Sequence, residues 1–158
     1  MDIEKTPGGR ALELFLQGYN CCQAVFAAYS GRFGMDPGAA LRLTAGMGGG
    51  MGGMRGKCGA VTALFLLAGL RDGGYPPGDG DAKKAVYARV QELDAAFESR
   101  CSSTVCQTLL EKAECGFSSV PSLRDAAYYE SRPCAALVQA AAVIAEERLL
   151  PLPDERRG

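Results

Sequence analysis

Seven cysteines and no histidine set the chemistry open to this chain. Without imidazole there is no Ser-His or Cys-His nucleophile pair, no zinc site with histidine ligands and no histidine-ligated haem. Cys, the carboxylates, Lys, Arg, Tyr and Met remain. Of these only Cys combines soft-metal affinity with two-electron redox chemistry. The carboxylates, among them Glu92, Asp94 and Glu98, fall on polar helical faces where a solvated role is expected.

Four cysteines share a local setting. Cys21 follows Asn20, a good N-cap, and Cys106 follows Ser102-Ser103-Thr104. Cys134 follows Ser131-Arg132-Pro133, and Cys58 opens an apolar stretch after Gly56-Lys57. Each is predicted in the first turn of a helix, where unpaired N–H groups and the macrodipole favour thiolate over thiol. Cys58 is expected to be the most reactive, with Lys57 and Arg55 nearby in sequence to stabilise its thiolate. Cys115, beside Gly116 at a helix end, is the contrasting ordinary thiol. Cys22 and Cys101 are packing or helper residues on this reading. The rival reading treats all seven as small buried hydrophobes. No C-x-x-C occurs among Cys21, Cys58, Cys106 and Cys134, so a four-sulfur set has to be assembled by tertiary structure.

The elements that would do so are helices. Leu12, Phe15, Leu16 and Tyr19 recur at helical spacing in a first amphipathic segment, and Val86, Val90, Leu93 and Phe97 do so in a longer one over 81–99. Segments near 21–33, 58–71 and 134–149 are rich in Ala and Leu nearly all round, as close-packed central helices are. Shorter helices are predicted at 37–45, after Asp36-Pro37, and at 104–114. No segment alternates with period two. The expected fold is all-α: one helical domain over 1–158, a bundle of about six to seven helices with a Gly-rich loop. Its halves, 1–74 and 79–150, meet near Pro76-Pro77.

That Gly-rich loop, 46–56, contains seven glycines and three methionines. Gly49, Gly50, Gly52, Gly53 and Gly56 are candidate cofactor-binding positions, able to fold closely round an anion or flat group and present N–H groups beside Cys58. The competing reading is close backbone packing, with Met47, Met51 and Met54 filling gaps. No P-loop or dinucleotide fingerprint fits the run.

Seventeen basic and eighteen acidic residues, with no charged run, give no reason to expect nucleic acid. The apolar segments are shorter than the ~20 residues of a membrane span, and the N-terminus does not read as a secretory signal. An odd cysteine count without an export signal suggests the reducing cytoplasm.

Gly18-Tyr19-Asn20-Cys21, the glycine run leading into Cys58-Gly59-Ala60, and Cys106 and Cys134 beyond it resemble the C_GCAxxG_C_C family, named for redox activity. The resemblance covers most of the chain and is not letter-perfect: the family label reads Gly-Cys-Ala-x-x-Gly, whereas this chain reads Gly56-Lys57-Cys58-Gly59-Ala60-Val61-Thr62-Ala63, with Ala63 in place of the last glycine. It implies a helical, dimeric protein whose Cys21, Cys58, Cys106 and Cys134 are redox-active residues or metal ligands. A similar domain occurs in split-Soret cytochromes, but this chain has no C-x-x-C-H, so haem is not expected. The function expected is therefore cysteine-based redox activity, through an iron-sulfur cluster, another thiolate-bound metal or a reversible dithiol, as an oxidoreductase or electron-transfer protein. Its redox partner is left unidentified. The alternative is a non-catalytic helical interaction module with packing cysteines.

Overall fold

The structure, a computed structural model, describes residues 2–152. Among the described residues the fold is helical without strands, with 63% of them in helices. The elements are α1 (Gly9–Leu16), α2 (Cys21–Ser30), α3 (Pro37–Leu43), α4 (Gly59–Asp72), α5 (Gly80–Cys101), α6 (Cys106–Lys112), α7 (Ala126–Ser131) and α8 (Cys134–Arg148). Short 3-10 turns lie at Ile3–Lys5 and Gly31–Phe33. No helix among the described residues is long and apolar enough to cross a membrane.

At the centre stands α4, which buries Gly59, Ala60, Val61, Thr62, Ala63, Leu64, Leu67 and Ala68. With that many small side chains on several faces, α2, α5 and α8 all pack against it. The amphipathic α5 contributes Leu93 and Phe97, both fully buried, with Val90 packed against the same core. The expected face of α1 is corrected. Ala11, Leu14 and Phe15 are buried, Leu16 is 45% exposed, and the helix stops before Tyr19. The apolar stripe is thus carried by one residue of the predicted set, Phe15, because Ala11 and Leu14 supply the spacing that meets α2 and α8.

Polar ties hold the packing in register. Glu146 of α8 accepts from the Tyr29 hydroxyl at 2.6 Å and from the Gly8 N–H at 3.0 Å, fastening α8 to α2 and to the start of α1. Arg71 donates to the Leu149 carbonyl at 3.1 Å, and Asp72 pairs with both Arg71 and Arg89.

Helix α7, capped by the Asp125 side chain on the Tyr128 N–H at 2.8 Å, has no counterpart in the periodicity. Six residues make under two turns, too few to show a stripe.

Candidate functional site

All four cysteines lie at helix starts as expected, but of the expected caps only Asn20 caps with its side chain: Val105, not Ser102, Ser103 or Thr104, precedes Cys106 as N-cap, and Pro133 is the N-cap before Cys134, neither with a side-chain cap hydrogen bond. Cys21, Cys106 and Cys134 are the first residues of α2, α6 and α8, and Cys58 is the N-cap of α4. A capping box fixes the first. The Asn20 side chain accepts from the Gln23 N–H at 2.8 Å, and the Gln23 side chain accepts from the Asn20 N–H at 3.0 Å. The Asn20 amide also donates to the Ala45 carbonyl at 3.1 Å, tying α2 to the entrance of the glycine loop.

Cys58 and Cys106 are set side by side by a feature invisible in the sequence, an isolated antiparallel bridge between Lys57 and Val105. The Cys58 N–H donates to the Thr104 carbonyl and the Cys106 N–H to the Gly56 carbonyl, both at 2.7 Å. Two helix starts 48 residues apart in sequence (106 minus 58) are thereby fixed together.

The four cysteines line one cavity of about 50 Å³, together with Phe15, Gly49, Gly59, Tyr128 and three arginines, Arg55, Arg124 and Arg132. Cys22, Cys101 and Cys115 do not border it. Cys22 is fully buried in the core, and the Cys115 thiol donates to the Ser131 carbonyl at 2.9 Å on another face. All seven are free thiols.

Glycine is required where the walls close in. A Cβ on Gly59 would stand 2.5 Å from the Cys21 sulfur, and one on Gly50 would stand 2.7 Å from the Cys106 Cβ. The loop itself winds left-handed, with positive φ at Gly49, Gly50, Met51, Gly52, Gly53 and Arg55. Such a backbone costs an L-residue about 1–2 kcal/mol per position, which accounts for glycine at 49, 50, 52 and 53. The free N–H nest is corrected in part. The N–H groups of Gly52, Gly53 and Gly56 donate within the loop to the carbonyls of Gly46, Gly48 and Gly50. Gly49 alone of the five candidate glycines borders the cysteine cavity, while Gly49, Gly52 and Gly53 border a larger neighbouring cavity of about 260 Å³. Gly50 and Gly56 face neither and pack behind it.

Electrostatics runs against the expectation that helix starts favour thiolate. Burial pushes the Cys58 thiol well up, with the charge of Cys21 adding to it, despite the N–H groups of Ala60 and Val61 beside the sulfur. Burial likewise raises Cys21, even though the N–H groups of Gly49, Cys22 and Gly59 surround its sulfur, and it pushes Cys134 up to about 11. Near Cys134, the charges of Cys21 and Cys106 act in the same direction as burial, and Arg132 and the Tyr128 hydroxyl act against it. Desolvation dominates because the dipole of a helix start is a partial charge, whereas removing water penalises a full one. Nor does Lys57 serve Cys58. Its ammonium pairs with Asp94 at 2.8 Å and donates to Thr104 Oγ1 at 2.9 Å. Arg55 reaches Cys106 instead, with Nη1 3.6 Å from its sulfur.

The donor set suits a soft metal, since every candidate ligand is sulfur. In this arrangement, however, no group of three or more Cys, Asp or Glu side chains among the described residues is placed to hold a metal ion.

Tyr128, Arg124 and Arg132 are site residues that the motifs did not reveal. Their one sequence signal was Arg132 two positions before Cys134. No curated protein and no solved structure matches the chain. Residues 19–148, the stretch that holds all four cavity cysteines, match the C_GCAxxG_C_C family, described as "putative redox-active protein", and the chain belongs to that family.

Proposed function

We propose that this protein is a thiol-based redox protein whose working groups are Cys21, Cys58, Cys106 and Cys134. The observation that carries the reading is their convergence. Four cysteines from four helix starts border one cavity, while the other three cysteines are elsewhere. A core that needed only small hydrophobes would have no reason to gather sulfur at one spot.

The first reading is a reversible dithiol. Two cavity thiols lose two protons and two electrons to an external two-electron acceptor, or to an external disulfide by exchange, and become a disulfide. Burial raises the thiols of Cys21, Cys58 and Cys134 and keeps these three protonated at neutral pH, so their reaction calls for a partner or substrate that enters the cavity rather than a bulk oxidant.

A second reading is an iron-sulfur or other thiolate-bound metal centre, favoured by the all-sulfur donor set and the absence of carboxylates around it. Cys21, Cys58, Cys106 and Cys134 would be its ligands, supplying a one-electron site. Ligation would require them to rearrange, since no group of three or more such side chains among the described residues is placed to hold a metal ion. A second copy of the chain and an electron partner belong with either reading.

Anaerobic purification, metal analysis and an absorption spectrum separate the two, alongside thiol counts before and after mild oxidation. A colourless protein that loses cavity thiols in pairs supports the dithiol, and a brown protein with sulfur-to-iron absorption supports the cluster. A metal-free protein whose four cavity thiols survive mild oxidation unchanged returns them to packing.

A further inference from the structure

The cysteine cavity opens beside the larger one of about 260 Å³, walled by the glycine loop on one side and by Ser119, Val120, Pro121 and Ser122 on the other. Arg55, Arg124 and Arg132 line both cavities, and no Asp or Glu lines either. In a chain with a net charge of -1, three arginines and no carboxylate make a local excess of cations. Several arginines elsewhere are neutralised in pairs, Arg89 with Asp72, Arg100 with Glu147 and Arg148 with Glu92.

None of the three cavity arginines has a carboxylate partner among the described residues. Arg55 spends Nε and Nη2 on the Ser118 carbonyl, at 3.1 and 2.7 Å. Arg132 donates to Ser122 Oγ at 3.1 Å. Arg124 lies against Tyr128 and Phe15, with Cζ 4.5 and 4.7 Å from the ring centroids, and its Nη1 is buried with no hydrogen-bond acceptor. The Arg132 guanidinium stands 5.2 Å from the centroid of the same Tyr128 ring. Two guanidinium groups on one tyrosine, one of them with an orphaned N–H, form a charge arrangement that lacks its anion.

We propose that this vestibule binds a small oxyanion, its oxygens on the guanidinium groups of Arg124 and Arg132 and its remainder directed toward the thiols. Guanidinium forks match the geometry of carboxylate, sulfonate and phosphate oxygens, and aromatic faces hold those forks in place. Binding itself is independent of the thiol-redox reading, and only the subsequent reaction at the thiols rests on it. For that reaction the vestibule selects an anionic class of substrate.

The test uses the reduced full chain and isothermal titration calorimetry with inorganic phosphate, sulfate and acetate at constant ionic strength. At least one of these binds saturably at one site per chain. Arg124→Gln and Arg132→Gln each weaken that binding by about tenfold or more, the loss expected for a charge-assisted pair. Arg10→Gln, at an exposed position that lines neither cavity, leaves it unchanged. Arg132, with its hydroxyl and ring contacts at the cavity edge, keeps the test decisive where Arg124→Gln fails to fold. Absence of saturable binding by all three anions, or binding equal in wild type and Arg132→Gln, overturns the proposal. Replacing the four cavity cysteines with alanine separates this inference from the redox reading. Oxyanion binding that survives in that variant upholds the vestibule, whatever the thiol counts say about redox.

Discussion

Gly59→Ala probes how tightly the cysteine cavity is built. The new methyl would stand 2.5 Å from the Cys21 sulfur, 3.0 Å from the Met47 carbonyl oxygen and 3.2 Å from the Cys22 nitrogen. Ordinary non-bonded contact is about 3.5–4.0 Å, so the sulfur overlap is about 1 Å. Alanine in place of glycine gains roughly 0.5–1 kcal/mol of helix propensity, and overpacking a closed site costs roughly 1–3 kcal/mol. The net expectation is a loss of about 1–2 kcal/mol, read as a fall of roughly 3–6 °C in Tm for a chain of this size. Since the sulfur makes the shortest contact, removing it removes most of the cost. In a Cys21→Ala background Gly59→Ala is expected to cost less by about 1 kcal/mol, a coupling of the size seen for touching residues. The assay is urea unfolding of reduced protein in the presence of chelator, over the four-member cycle. Equal costs in the two backgrounds, or stabilisation by Gly59→Ala alone, would refute the close approach of α2 and α4 at the sulfur.

Burial and capping set the remaining expectations. With limiting alkylating reagent on native reduced protein, Cys115 labels ahead of Cys58, because Cys58 is 5% exposed and its thiol is held protonated; earlier labelling at Cys58, read by peptide mass mapping, would contradict the burial. For pH, the folded thiol of Cys134 titrates near 11 against an ordinary value of 9.0, so between those values the unfolded chain binds fewer protons than the folded one. Its contribution to stability is complete below pH 9.0 and is lost as pH rises toward about 11, and Cys134→Ala flattens that fall in denaturant midpoints measured across the window. Asn20→Ala removes the capping box and the tie to the Ala45 carbonyl, at a cost of about 1–2 kcal/mol. The same variant raises Cys21 alkylation rates, whereas an unchanged rate would show that the cap does not position that thiol. Phe97→Ala empties a fully buried site and costs about 3–5 kcal/mol by the same denaturation assay.

Local chemistry was legible in the sequence because caps and helix starts are determined within a few residues. Asn20 as an N-cap, Asp36 before Pro37 and the stripe of Val90, Leu93 and Phe97 each belong to one element, and each is present. The absence of histidine and the placement of four cysteines at helix starts were likewise readable, as was the family. What the chain could not disclose is how those starts meet. The bridge between Lys57 and Val105 joins segments with no shared periodicity, and the loop over 113–125 carries no pattern that would place Arg124 and Arg132 beside the thiols. Protonation state was decided by tertiary structure as well. The dipole of a single helix start favours thiolate, but the water that would solvate that charge is expelled by residues distant in sequence, and only the packed fold determines how much remains.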